Sequence, residues 1–286
     1  MNFECPKTLD VALDLLSSDK WSMLSGGTDF YPGLQDQQPD GNVLDISQIA
    51  GLKEITQLAD GSWSIGALVT WTDIINADLP PAFDGLKLAA REVGSVQIQN
   101  RATVAGNICN ASPAADGMPP LLSLDAFVDV ASIDSSRRLP ISEFVLGNHK
   151  TALRDDEIVT AINIPAEAAR GASGFLKLGA RKYLVISISM VAARIEVDEK
   201  NTIVSAAISV GSCSLVAKRL TALETALVGQ PLDQITSKFI SAEHMTDLAP
   251  IDDVRASGVY RMDASQELVC RVVADIQGRV GHANIV

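Results

Sequence analysis

The period of apolar positions changes several times along the chain, and each change predicts an element. Over residues 8–16 apolar side chains recur at helical spacing behind Thr8, a capping residue type. Asp10 stands in the first turn, where a carboxylate complements the helix dipole. Residues 21–24 form a short apolar run that ends at Ser25-Gly26-Gly27-Thr28-Asp29, after which 30–34 continue as a helical turn. The pattern is strand, glycine turn, helix start. Residues 43–46 and 62–67 read as strands, and 70–75 as a helix capped by Thr70 or Thr72. A helical pattern over 86–93 runs into Gly94-Ser95, and the polar stretch 97–103 leads to Val104-Ala105-Gly106-Asn107-Ile108. Ser112-Pro113 has the residue types of a cap and a first helical position. Residues 124–131 and 158–164 follow as strands, the second ended by Pro165.

The small, polar stretch 166–173 is the expected boundary, giving domains over 1–170 and 171–286. Beyond it, the β-branched runs 185–197 and 202–210 flank the turn Asp198-Glu199-Lys200-Asn201 and predict a hairpin. Residues 215–227 are expected to be a helix stopped by Gly229 and Pro231, and 265–276 another ended at Gly278. The first part alternates helix and strand, and the second is a small α+β unit.

The length of 286 residues suits about two domains with real cores. A formal net charge of −12 lacks the basic footprint for nucleic acid or anionic lipid, leaving proteins or small molecules as partners. No apolar run approaches the length of a membrane span, and the first residues have neither a basic flank nor an apolar stretch of signal-peptide type, so the cytoplasm is expected. Cys5, Cys109, Cys213 and Cys270 are dispersed, as are His149, His244 and His282, so no metal or cluster site is encoded locally. Asp155-Asp156-Glu157 reads as a solvated acidic turn, and Arg137-Arg138 and Arg181-Lys182 as surface charges.

Two segments have the composition of a ligand site. Residues 25–29 offer glycines able to take positive φ, followed by amides at a helix start, a phosphate-compatible arrangement. A plain glycine turn and cap with no ligand explains the same residues. Neither a G-x-G-x-x-G fingerprint nor a Gly-Lys-Ser/Thr loop is present, which sets aside simple dinucleotide-domain and ATPase readings. The second segment is Asn100-Arg101-Ala102-Thr103-Val104-Ala105-Gly106-Asn107 followed by Ala111-Ser112-Pro113-Ala114-Ala115-Asp116.

Together with the glycine loop, this string resembles the hallmark segments of the FAD-binding subunits of molybdenum hydroxylases, the group that includes the medium subunit of carbon monoxide dehydrogenase and the flavin portion of xanthine dehydrogenase. Residues 155–165 resemble the strand that closes their flavin domain, and Phe175-Leu176-Lys177 with Arg181-Lys182 the start of their carboxy-terminal domain. The resemblance implies a two-part FAD-binding domain of the PCMH/vanillyl-alcohol-oxidase type, followed by a small α+β domain of the carbon monoxide dehydrogenase flavoprotein type.

By the same resemblance, Ser25, Gly26, Gly27, Thr28, Asp29 and Phe30 should hold the FAD diphosphate through backbone amides. Thr103, Ala105, Gly106 and Asn107 should form a second loop around the diphosphate and flavin. Asp116 should accept from the cofactor, Val93 and Val159 should contact it, and Lys177 should lie near the isoalloxazine, with Ile186 a weaker match beside the ring. Ala105 departs from the two glycines usual in relatives: a left-handed Ala would cost on the order of 1 kcal/mol, so either position 105 is not left-handed or the loop differs. The implied chain carries non-covalent FAD alone. The molybdenum cofactor and 2Fe–2S clusters belong to partner subunits, and the assembly is a dimer of heterotrimers. Two other readings stand beside this one: a self-sufficient flavin oxidase of the same fold, and an assembly module that has lost flavin.

Overall fold

The amino-terminal helical pattern exists because two parallel strands need a crossover. In the computed structural model, which describes residues 2–283, β1 (Phe3–Glu4), β2 (Trp21–Leu24) and β3 (Asn42–Asp45) form a parallel sheet in the order β1-β3-β2. Helix α1 (Leu9–Ser18) makes the crossover and buries Ala12, Leu13 and Leu16 against Leu44, Ile46 and Ile49. Thr8 takes the extended N-cap conformation, but its hydroxyl makes no cap bond. The short α2 (Phe30–Leu34) follows the glycine turn.

A second, antiparallel sheet is built from β4 (Ile55–Gln57), β5 (Trp63–Gly66), β6 (Phe127–Ala131), β7 (Ser136–Pro140) and β10 (Ile158–Ile164), in the order β4-β5-β10-β6-β7. The hairpin β8 (Val145–Gly147) and β9 (Lys150–Thr151) lies between β7 and β10 in sequence. Helices α3 (Trp71–Asn76), α4 (Asp84–Glu92), α5 (Val96–Gln99), α6 (Val104–Asn110), α7 (Met118–Ser123) and α8 (Ile141–Phe144) complete this part. Its core gathers Ile65, Trp71, Phe83, Leu86, Ile108, Leu121 and Ile162. Helix α3 starts where the sequence indicates: Thr70 accepts from the Asp73 amide and Asp73 accepts from the Thr70 amide, a reciprocal cap.

The third sheet, β11 (Ala172–Leu178), β12 (Ser189–Val197), β13 (Ile203–Gly211) and β14 (Lys218–Arg219), is antiparallel in chain order. Helices α9 (Thr221–Leu227) and α10 (Gly258–Ala283) belong to it, and Val269, Val272, Val273 and Ile276 of α10 pack on Val191, Ala193 and Ile195. The opposite face is covered by the first part of the chain, where Ala89 of α4 meets Phe175, Met190 and Ala192. Burial on both faces explains why β12 is buried continuously from Ser189 to Ile195, Arg194 included, rather than in alternation. Gly85 permits this contact, since a Cβ there would lie 2.9 Å from the Gly174 carbonyl oxygen. No helix among the described residues is long and apolar enough to cross a membrane.

Four sequence expectations are corrected. Ser112-Pro113 forms a turn, its hydroxyl accepting from Ala114 N at 3.3 Å, and the helix begins only at Met118 with Pro119 and Pro120 in its first turn. Residues 215–220 are not helical, because Lys218 and Arg219 pair with Val210 and Ser209 and thereby extend the sheet. The predicted strand from 185 begins at Ser189. Helix α10 runs from Gly258 through Gly278: the apolar stripe it buries outweighs the roughly 1 kcal/mol that an internal glycine costs.

Candidate functional site

The end of the β2 strand aims the chain at the site. After Leu24, Gly27 adopts φ +75°, open to glycine and costly to other residues, and Tyr31 N and Gly33 N then donate to Gly27 O and Asp29 O as α2 begins. The amides of Gly26, Gly27, Thr28 and Asp29 donate to no acceptor among the described residues.

Facing this turn, residues 69–71 are stitched to 102–104. Trp71 N donates to Ala102 O at 3.1 Å and Val104 N to Val69 O at 3.0 Å, with a bridge between Thr70 and Thr103. Thr103 caps α6, its hydroxyl accepting from Gly106 N at 2.9 Å. The predicted second loop is therefore the capped start of a helix. Ala105 is helical and buried, so an alanine there carries no left-handed cost; the left-handed residue is Ala111, with φ 53°. Gly106 is needed for a different reason than φ, because a Cβ would stand 2.8 Å from Thr103 Oγ1 and crowd the cap.

Between the two segments lies a cavity of about 460 Å³, within the size range of small-molecule sites. Ser25, Gly26, Gly27, Thr28, Asp29, Phe30, Val93, Thr103, Ala105, Gly106, Asn107 and Val159 all line it. Asp116 and Lys177 do not. They form an ion pair of 2.7 Å behind the wall, with side chains only 10% and 6% exposed. Ile186 is exposed on the irregular segment 179–188, and neither His149 nor His244 lines the cavity; the side chain of His282 lies outside the described residues.

Sequence reasoning missed Trp71, Ile98, Leu153 and Glu157, all of which are on the wall, beside Cys109 that follows the second loop. Trp71 had a usable signal, since the Thr70 and Asp73 cap fixes the helix start and turns the next residue inward. Two wall residues also carry orphaned polar atoms: Ser25 Oγ and Trp71 Nε1 are buried without a hydrogen-bond partner among the described residues. Burial pushes the Cys109 thiol up to about 12, so it stays protonated at neutral pH.

Glu157 overturns the reading of 155–157 as a solvated turn. It is buried and accepts from Arg137 Nε at 2.7 Å, Arg137 Nη2 at 2.8 Å and Arg154 N at 2.8 Å. Arg137 is half-buried as the clamp on Glu157, whereas Arg138 is the surface charge expected, exposed and forked onto Asp129 at 2.6 and 2.8 Å. The hydrogen bonds from Arg137 hold the Glu157 carboxyl below its ordinary range. Replacing Glu157 with Gln should therefore destabilise the chain by about 1–3 kcal/mol at neutral pH. Because the folded value is depressed, the difference from wild type should be full above about pH 5 and shrink as pH falls through that value. Urea unfolding at neutral and acidic pH measures it, and a pH-independent difference would show that the carboxylate charge is not what matters.

This cavity, set between a parallel and an antiparallel sheet, defines a cofactor-sized binding lobe with an α+β companion. Residues 1–167 match the family described as FAD binding domain in molybdopterin dehydrogenase, and 175–276 that described as CO dehydrogenase flavoprotein C-terminal domain. The chain belongs to this family of FAD-binding subunits of molybdopterin dehydrogenases. It is 32% identical to the nicotinate dehydrogenase FAD-subunit of Eubacterium barkeri, over 96% of this chain and 95% of that protein. It is 30% identical to the xanthine dehydrogenase FAD-binding subunit of Escherichia coli O157:H7, with the same coverage of 96% and 95%. In fold it matches a chain of the carbon monoxide dehydrogenase from Hydrogenophaga pseudoflava, with a TM-score of 0.86, 24% identity and 98% of each chain covered.

Proposed function

We propose that this chain is the FAD-carrying subunit of a molybdenum hydroxylase complex, conveying electrons from 2Fe–2S clusters of a partner subunit to an external acceptor. The observation that carries the reading is the cavity itself. Its lining includes residues 26–29, a turn without Lys or Arg whose amides have no acceptor among the described residues, and Ser25 and Trp71, whose Oγ and Nε1 are likewise orphaned. Amides of this kind hold a diphosphate without side-chain charge. Val93, Ile98, Ala105 and Val159 supply apolar surface, while Thr103, Gly106 and Asn107 shape the facing wall. Flavin, when bound, supplies the exchange between one-electron and two-electron carriers. The protein's part is to orient it and limit water around it.

The cofactor is held non-covalently in this reading, since the cavity's one cysteine is a protonated thiol and neither described histidine side chain reaches the wall. Among the described residues no cluster of three or more His, Cys, Asp or Glu could hold a metal. The molybdenum cofactor and iron–sulfur clusters are assigned to separate large and small subunits, in a dimer of heterotrimers located in the cytoplasm. The two domains are taken to divide near residue 170, where Gly171 has φ +81° and its position would bring a Cβ within 2.3 Å of Ile195 O.

The purified chain alone is expected to carry FAD that a chemical reductant bleaches but that heteroaromatic or small-carbonyl substrates do not. With its partner subunits restored, substrate should bleach it. Rapid substrate-driven bleaching of the isolated chain would favour the self-sufficient oxidase, and a chain without flavin absorbance would favour the assembly module.

A further inference from the structure

Behind the cavity wall, three polar side chains from distant parts of the sequence meet. Lys177 Nζ donates to Asp116 Oδ2 at 2.7 Å, and Ser187 Oγ donates to Asp116 Oδ1 at 3.0 Å, so both carboxylate oxygens are engaged. Lys177 Nζ also lies 3.5 Å from the Glu92 carbonyl oxygen. The cluster is one residue from the wall on two sides. Glu92 precedes the wall residue Val93, and Gly117, next to Asp116, donates from its amide to the side chain of the wall residue Asn107 at 3.2 Å.

Ser187 is buried, yet it ends the irregular segment 179–188, which exposes Tyr183, Leu184 and Ile186. Such a segment buries little apolar surface of its own and depends on its anchors. Ile188 N to Leu178 O at 2.7 Å closes its neck, and Ser187 is the side chain that joins it to the first part of the chain.

We infer that Ser187 is a positioning residue of the cofactor site: its hydroxyl fixes the Asp116 carboxylate against Lys177 and ties the segment 179–188 to the wall that carries Val93 and Asn107. The inference rests on the flavin reading above. Its chemical signature is acid sensitivity. Burial raises the Asp116 carboxyl above its ordinary value, the nearby Glu92 carboxylate adds to that, and Lys177 and the Ser187 hydroxyl oppose it. Without the hydroxyl, Asp116 takes up a proton at higher pH and Lys177 loses its counter-charge.

The test measures FAD retention after ultrafiltration across acidic to neutral pH for wild type, Ser187→Ala, Ser187→Thr and the pair Asp116→Asn and Asp116→Asn/Ser187→Ala. The acid limb of retention should move up by about half to one pH unit in Ser187→Ala. It should return in Ser187→Thr, and the serine change should add no shift once Asp116 is Asn. Trypsin should also cut after Arg181 or Lys182 several-fold faster in flavin-free Ser187→Ala than in flavin-free wild type, a readout that does not need FAD. If wild type binds FAD and the Ser187→Ala profile overlies it, the positioning role is overturned while the flavin reading stands. A wild type that binds no FAD at any pH removes the flavin reading, and unchanged tryptic cleavage in that case overturns the anchor as well.

Discussion

Gly26→Ala is expected to give a chain that folds but purifies with little flavin. A Cβ at position 26 would lie 2.0 Å from the Arg101 carbonyl oxygen, 2.7 Å from its carbon and 3.1 Å from Ala102 Cα. These are backbone atoms and cannot rotate away. Residues 101 and 102 are also held in place, since both amides donate to Ile98 O and Ala102 O accepts from Trp71. The clash is relieved only if the two walls of the cavity part. Overpacking of this kind costs about 1–3 kcal/mol, equivalent to a loss of affinity of about 5- to 150-fold when it falls on the bound state. Gly27→Val makes the instructive contrast. Its Cβ would meet the Tyr31 ring at 2.8 Å, but Tyr31 is 59% exposed and can swing aside, leaving mainly the strain of φ +75°. The expected order of flavin loss is therefore Gly26→Ala above Gly27→Val. Flavin absorbance after denaturation measures both, and wild-type flavin content in Gly26→Ala would refute the placement of the cofactor between these walls.

How much of this was legible in the sequence depends on how local the cause is. The turn at 25–29 was legible because a strand ending in Gly-Gly has few conformations, and its residues line the cavity. The cap at Thr70 was legible for the same reason, as its partner Asp73 is three residues away. Glu157 was not. Its partner Arg137 lies 20 positions earlier, and the pair meets only because β7 and β10 flank β6 in one sheet. Among three consecutive acids, nothing local distinguishes the one that is buried. Lys218 and Arg219 failed similarly, since a helical pattern yields where β13 offers an open edge. Asp116 and Lys177 were expected to meet the cofactor, yet neither lines the cavity, and the fold makes each the other's counter-ion. Ala105, the one departure noted in the loop, proves harmless once residue 105 is seen inside a helix.

Trp71→Ala should be among the most damaging single changes to both fold and site. The side chain is fully buried in the main core, and its fit is tight enough that a Cβ on Gly117 would stand 2.7 Å from the ring. Truncating such a residue costs about 3–5 kcal/mol, from lost transfer energy and the void left behind. For a chain of this size that is a fall in midpoint on the order of 10 °C. Flavin should be lost with it, because the Trp71 amide is bonded to Ala102 and its side chain is part of the wall. Trp71→Phe separates the two roles. It keeps a buried aromatic ring but removes Nε1, a buried donor with no acceptor among the described residues, together with part of the indole's bulk. A donor that stays unpaired would make its removal neutral or stabilising, whereas one that meets an acceptor on the cofactor contributes about 0.5–1.5 kcal/mol to binding. Trp71→Phe should therefore lower the flavin-free midpoint far less than Trp71→Ala, by the roughly 1 kcal/mol that a small void costs, yet bind FAD about two- to tenfold more weakly. Equal flavin affinity in Trp71→Phe and wild type would leave the orphaned indole nitrogen without a cofactor partner and confine Trp71 to packing.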